Sequence, residues 1–448
     1  MWRKTVDIHK RIFSILNNFL RKRGYNSAIV TSFLKWLPYI VGSIVTAGVA
    51  VLYSKIFDYS VSLSKLLKGS SPWLFFIITP VCLLAGWWIV KKISIAASGS
   101  GIPQLMAAVN PKRDTKKVST GFLLGGKVLV AKVLSSIVAL LGGALIGREG
   151  PTLQISGSIF YITHKFLPDS WPKVNRERML IAGGAAGLAA AFNTPLGGIV
   201  FAIEELSKSS LNTFKSTLLY AVIFSGMTVQ WILGPYLYLG YPKVDATSFS
   251  MLGYVIIFSA IAGIVGAFKG KLILELASFT KKFKKTFQHI IYILISGLVV
   301  AFIIYSNSNV AYGPGKDVMN QLLFDAKDHD VTLWLLISRF FGAIISYSTG
   351  VAAGIFATSL STGSILGHLL MNFFNLDGDN KLLILVSMIG LLTGVTRAPF
   401  TSSVLVLEMT NSHSAIFFFI LAGLISSVTA RLIDKQPLYK RLEVNYLY

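Results

Sequence analysis

The sequence predicts an all-α protein that crosses a membrane many times, with several of its helices broken part-way. Three observations carry that expectation. The 448 residues are 53% hydrophobic and only 14% charged, with a mean hydropathy of +0.65, whereas soluble domains carry about 25% charged residues. Apolar stretches that suit bilayer-crossing helices of roughly 20 residues begin near Leu37, Trp73, Phe122, Ile181, Leu218, Leu252, Ile290, Leu333, Leu382 and Ile416. Glycine-rich breaks interrupt these stretches at matching places in two halves of the chain. Open backbone cannot face lipid, so the spanning segments must be helical.

The net charge of +23 does not point to nucleic acid. Lys and Arg gather at 3–23, 112–117, 269–285 and 431–441, in short segments between or beside apolar runs. That is the pattern of cytoplasmic loops and termini, and anionic lipid headgroups are their natural partners. A multi-pass protein with both termini in the cytoplasm is expected. Residues 1–24 form a basic amphipathic stretch with Ile8, Ile12, Phe13, Leu16, Phe19 and Leu20 on one side, suited to a helix lying on the cytoplasmic surface; no cleavable signal peptide is expected. The single Cys82 sits in an apolar run, which suggests packing.

Taken in order, Leu34 to Leu67 reads as one long tilted helix and Trp73 to Ile95 as a second. Ser98-Gly-Ser-Gly-Ile-Pro103 then precedes Gln104 to Val109, too short to span and read as a half-helix with Ser100 and Gly101 near its start. A helix from Phe122 to Leu141 leads into Gly142-Gly-Ala-Leu-Ile-Gly-Arg-Glu-Gly-Pro151, which places Arg148 and Glu149 inside an apolar region. Proline is tolerated in the first turn of a helix, where its missing N–H costs nothing, so a new helix is expected to begin around Glu149. The small-residue run Ala182 to Ala191 favours close helix–helix approach, and Asn193-Thr-Pro195 breaks it before a short segment ending at Glu204-Glu205.

The second half repeats this order: apolar Trp334 to Tyr347, a glycine-rich break from Ser348 to Thr358, a half-length segment to Met371, then Arg397-Ala-Pro399 and a short run to Glu408. Pro195 and Glu204 are nine residues apart, as are Pro399 and Glu408; the prolines lie 204 residues apart, and Gly147 and Gly354 lie 207 apart. This is an internal repeat, with approximate halves 34–206 and 250–433, of a kind that points to a transport site at mid-membrane. The spacing does not say whether the halves are parallel or inverted. Residues 434–448 close the chain as a cytoplasmic segment with a further short helix, and no cytoplasmic regulatory domain is expected.

A helix start attracts anions through its unpaired N–H groups and partial positive charge. Glu149 is a tethered anion at such a place, and a carboxylate there can both occupy a mobile anion's site and carry a proton. An ionisable group at membrane depth is a functional candidate by default, whereas the adjacent Arg148 reads as local scaffolding. Glu408, matched by the repeat to Glu204, suits a structural role, which shifts the functional expectation to Glu205. Ser100 gains weight from standing at a half-helix start. On the residues alone, Tyr439 reads as an interfacial aromatic, and Phe356 is equally a packing residue. Arg397 is expected to stabilise its break, and Gly313-Pro-Gly-Lys316 to be a plain loop. The six histidines lack metal-ligand spacing, so neither metal nor cofactor is expected.

Gly99-Ser-Gly-Ile-Pro103, Gly147-Arg-Glu-Gly-Pro151, Gly354-Ile-Phe-Ala357 and Pro437-Leu-Tyr439, in this order, resemble the CLC family of chloride channels and proton-coupled chloride transporters. Ala191-Phe-Asn-Thr-Pro-Leu196 and Leu405-Val-Leu-Glu-Met-Thr410 are similar as well, so the likeness spans about residues 35 to 440. It implies two inverted halves per subunit and a homodimer with a separate anion pathway in each subunit, in a bacterial inner membrane. It further implies that the side chains of Ser100 and Tyr439 and the amides of Ile355 and Phe356 hold a central chloride. Glu149 would be the external gate and proton carrier, and Glu205 the internal proton-transfer residue. Thr358 stands where the family usually has proline, and Ser100 favours chloride over nitrate or fluoride. The expected activity is chloride/proton exchange; a passive chloride channel of the same fold is the alternative. An intramembrane enzyme using Glu149 is remote, because no nucleophile or metal partner accompanies that motif.

Overall fold

A computed structural model describes residues 27–110, 118–169, 171–207, 215–244, 249–307, 311–324, 331–376 and 380–447. The expected surface helix at 1–24 and basic loop at 112–117 lie outside the described residues. Eighteen α-helices follow one another: α1 (Ser27–Ser70), α2 (Phe75–Ile93), α3 (Ile102–Val109), α4 (Thr120–Leu124), α5 (Gly126–Leu141), α6 (Glu149–Lys165), α7 (Arg176–Phe192), α8 (Pro195–Phe201), α9 (Lys215–Leu233), α10 (Leu252–Lys281), α11 (Thr286–Ser306), α12 (Lys316–Phe324), α13 (Leu333–Ser348), α14 (Phe356–Phe373), α15 (Lys381–Thr396), α16 (Pro399–Thr410), α17 (Ile416–Ile433) and α18 (Leu438–Glu443). Among the described residues the β-type pairing consists of two isolated bridges, Gly99 with Ala352 and Gly147 with Gly354.

Among the described residues, seven helices are long and apolar enough to cross a membrane. The 44 residues of α1 extend about 66 Å at 1.5 Å each, far beyond a hydrocarbon core of about 30 Å, so α1 must tilt. Trp231, Phe417 and Leu432 are 86%, 82% and 79% exposed, which suits a lipid-facing surface. The expected spans near Ile181, Leu333 and Leu382 are instead helices of 17, 16 and 16 residues. The first and third are apolar because protein surrounds them: Met179 to Phe192 of α7 and Leu382 to Thr396 of α15 are buried throughout. The helix expected from Phe122 to Leu141 is broken at Gly125 into α4 and α5.

A second correction concerns charge. Lys269 was expected in a cytoplasmic basic segment, but α10 continues to Lys281 and Lys269 is fully buried within it. Its ammonium donates to the Thr358 carbonyl at 3.1 Å and the Thr362 hydroxyl at 3.5 Å. The helix comes this close to its neighbours through glycine. A Cβ on Gly394 would lie 2.9 Å from the Gly266 Cα and 3.0 Å from the Ala267 nitrogen of α10, so backbone packs directly on backbone.

The repeat meets itself through reciprocal contacts. Gly147 N–H donates to the Gly354 carbonyl at 2.9 Å and Gly354 N–H donates back at 2.8 Å, the exchange of an antiparallel bridge. The Glu408 carboxylate accepts from the amides of Leu196 and Gly197 at 3.0 and 2.7 Å, at the start of α8. Glu204 accepts from the amides of Phe400 and Thr401 at 3.2 and 2.7 Å and from the Thr401 hydroxyl at 2.7 Å, at the start of α16. When residue i of one unit contacts j of the other and j contacts i, the relation is a two-fold. The halves are therefore related by a local two-fold axis passing near both exchanges. Each carboxylate neutralises the positive end of a helix beginning inside the protein.

Glu408→Ala leaves two amides unpaired and is expected to cost about 1–3 kcal/mol of stability; Glu204→Ala removes three bonds and is expected to cost at least as much. Thermal unfolding of detergent-purified protein measures both. Unchanged melting temperatures in both variants would show that the caps do not hold the halves.

Candidate anion site

Three helix starts converge where the repeat crosses itself. The first is α3, preceded by Gly99 and Gly101 in the left-handed region at φ 64 and 97. Glycine adopts that conformation without steric penalty, and here it also admits a close neighbour: a Cβ on Gly101 would lie 2.6 Å from the Gln154 Cβ. Gly99 N–H donates to the Val351 carbonyl at 2.9 Å, and its own carbonyl accepts from Ala353 N–H at 3.0 Å and from the Lys132 ammonium at 2.9 Å. The Ser100 hydroxyl thereby stands against α6, where a Cβ on Gly150 would lie 2.9 Å from the Ser100 carbonyl oxygen.

The second start is α6, whose first residue is Glu149, fully buried. Its neighbour Arg148 donates to Asp58 Oδ1 at 2.8 Å and to the Ser54 carbonyl at 3.2 Å, with the guanidinium 5.9 Å from the ring centres of Phe57 and Tyr238. Arg148 is thus committed to α1, and Glu149 is free of a permanent ion pair. Glu149 Oε2 accepts one long bond, 3.5 Å from Ala357 N–H, while Oε1 has no partner.

That bond reaches the third start, α14. Ile355 is its N-cap, and Ser359 N–H closes the first turn on the Ile355 carbonyl at 3.0 Å. The amides of the first turn have no intrahelical acceptor. Thr358 donates its hydroxyl to the Ile355 carbonyl at 3.1 Å, a contact proline could not make. The Phe356 ring packs against Tyr439 at 6.1 Å between centres and against Phe201 at 6.5 Å, so α18 is seated on α14 and the Tyr439 hydroxyl is carried to Ser100. Both hydroxyls are buried, and no hydrogen bond of either to another side chain or backbone group is found among the described residues beyond their approach to each other.

The structure thus brings Ser100, Glu149, Ile355, Phe356 and Tyr439 together. Glu205 stands apart, in the π-helical turn Ala202–Leu206 that continues α8. No described residue donates a hydrogen bond to its carboxylate, which distinguishes it from the firmly bound Glu204. Sequence reasoning missed Lys132, a fully buried cation on α5, although a lysine inside an apolar run signals function or tight pairing. It also missed Glu443, buried and accepting from the Asn110 side-chain amide at 3.0 Å, and Tyr347, whose hydroxyl accepts from Ser100 N–H at 3.4 Å.

Chemically, the arrangement offers hydroxyl and amide hydrogens with no acceptor among the described residues. Among the described residues no carboxylate forms an ion pair with Lys132 or Lys269. Buried polar groups are almost always paired, so orphaned donors around one point mark a place for a small acceptor.

A family model described as voltage gated chloride channel matches residues 81–431. The H(+)/Cl(-) exchange transporter ClcA of Vibrio cholerae serotype O1 (strain M66-2) is 28% identical over 380 residues, 82% of this chain and 78% of that protein. ClcA of Salmonella typhi is 28% identical over 386 residues, with the same coverage. Among solved structures, a slow cyanobacterial Cl-/H+ antiporter superposes with a TM-score of 0.80 at 23% identity, covering 92% of this chain and 98% of that one. A CLC-type fluoride/proton antiporter superposes at 0.72 and 18% identity, covering 92% and 99%. Through the family match, carried on this fold, the chain belongs to the voltage-gated chloride channel family.

Proposed function

We propose that this protein exchanges chloride for protons across the membrane, with Ser100, Tyr439 and the amides of Ile355 and Phe356 as the anion site, Glu149 as external gate and Glu205 as internal proton-transfer residue. The observation that carries the reading is the Glu149 carboxylate, fully buried and resting on the first turn of α14 by one 3.5 Å bond. A charged carboxylate and a chloride compete for the same helix dipole and amides. Protonation removes the carboxylate's charge, weakens its hold there and leaves the donors to chloride. Loss of the proton reverses the exchange, so each anion step is tied to a proton step.

Two carboxylates serve because anion and proton leave by different routes: the anion passes Ser100 and Tyr439, while the proton passes between Glu149 and Glu205. The names of the ClcA relatives and of the antiporter structures support exchange over passive conduction. Functional halves at 34–206 and 250–433, a homodimer with one pathway per subunit, and both termini in the cytoplasm of a bacterial cell complete the proposal.

In vesicles carrying the purified protein, an imposed chloride gradient is expected to drive protons uphill. Glu149→Gln and Glu205→Gln are each expected to abolish proton movement while anion flux persists, because glutamine fills the space and carries no proton. Chloride flux without proton movement in the unmodified protein would instead identify a channel. Ser100→Ala and Tyr439→Phe each remove one donor to a charged ligand, a loss of about 1.5–3 kcal/mol and so roughly tenfold or more in chloride affinity. Calorimetric titration measures it, and wild-type affinity in both variants would place the anion elsewhere.

A further inference from the structure

The long bond between Ser100 N–H and Tyr347 has no role in the exchange cycle above, and its surroundings explain it. Tyr347 stands one residue before the end of α13 and is 8% exposed. Its ring lies over Gly99, where a Cβ would come within 2.8 Å of the Tyr347 oxygen and 3.2 Å of its Cζ. The next residue is anchored, because the Ser348 hydroxyl pairs with the Tyr292 hydroxyl at 2.6 Å. The phenol is therefore held against the break that carries Ser100 by a fixed backbone on one side and by a missing side chain on the other.

A phenol has one hydrogen and accepting lone pairs. At 3.4 Å the Tyr347 oxygen accepts from the Ser100 amide, and its own hydrogen has no acceptor among the described residues. The amide contact places a third hydroxyl at the residue that carries one of the two already described. A cavity of about 350 Å³ borders Ser98 on one strand and Ser348, Thr349 and Gly350 on the other, the chain neighbours of Gly99 and Tyr347. Lys91 and Lys281 line its outer part, which favours anions. The cavity thus reaches the chain neighbours of both Gly99 and Tyr347.

We propose that Tyr347 is a third hydroxyl ligand of the anion site: it occupies the Ser100 amide when no anion is bound, and donates its O–H to a chloride at the Ser100 and Tyr439 hydroxyls, releasing that amide. The inference rests on the anion site proposed above and adds a ligand to it.

Tyr347→Phe isolates the hydroxyl, because the ring over Gly99 is kept. Titrating sodium chloride into full-length purified protein in calorimetry, the variant is expected to bind more weakly than wild type by roughly tenfold or more, the loss of one donor to an ion. In vesicles, half-saturating chloride is expected to rise by a similar factor while maximal flux changes far less. A ring that only packs would leave both quantities unchanged, and that result overturns the proposal. Tighter binding also overturns it, since the hydroxyl would then merely compete with chloride for the amide. Should Tyr347→Phe not fold, Tyr347→Gln, which keeps a donor, is compared with Tyr347→Leu, which does not; equal affinities overturn the proposal. Wild-type protein that binds no chloride refutes the site itself and this ligand with it, whereas normal wild-type binding with an unaltered variant refutes the ligand alone.

Discussion

A helix that starts inside a protein at membrane depth brings N–H groups that water cannot satisfy, and the way each start is answered separates structure from transport. Two starts are answered firmly. Glu408 makes two bonds of 3.0 and 2.7 Å to the start of α8, and Glu204 makes three, of 3.2, 2.7 and 2.7 Å, to the start of α16. The start of α14 is answered by Glu149 through a single bond of 3.5 Å with one oxygen left over. Three carboxylates share one chemistry and differ in hold. The weakly held one stands among unpaired hydroxyls, and only there does a free anion meet little competition.

Buried charge points the same way. An unpaired ammonium in a protein interior is costly, yet Lys132 and Lys269 lie fully buried on carbonyl and hydroxyl oxygens behind two of the three helix starts. Lys132 lies against the Gly99 carbonyl before α3, and Lys269 against the Thr358 carbonyl in the first turn of α14. Arg148, although next to Glu149 in sequence, is drawn away to Asp58. A pairing between the two neighbours would have cancelled the charge that the carboxylate brings to the site.

Much of this was legible in the residues. The nine-residue spacing from Pro195 to Glu204 and from Pro399 to Glu408 exposed the repeat, because a proline marks a helix start and the same span returned to an acid. Helix starts at Glu149 and Phe356 followed from glycine and proline punctuation. The crossing of the two acids did not follow, since spacing within one half is silent about which helix end a side chain reaches in the other. Lys269 was misplaced because composition counts a lysine near Lys281 and Lys284 as part of a basic segment, whereas burial depends on the helix face. Tyr347 escaped because a tyrosine at the end of an apolar run has the ordinary look of a membrane-interface residue. Its significance lies in a contact 247 residues away in sequence.

The reciprocal anchoring of Glu204 and Glu408 sets a limit on how the molecule can work. Rocking one half against the other, as many transporters do, would tear carboxylates from helix ends on both sides of the axis at once and part the Gly147–Gly354 bridge as well. In the exchange proposed above, these anchors would keep the scaffold nearly rigid, and the moving parts would be side chains a few ångströms long.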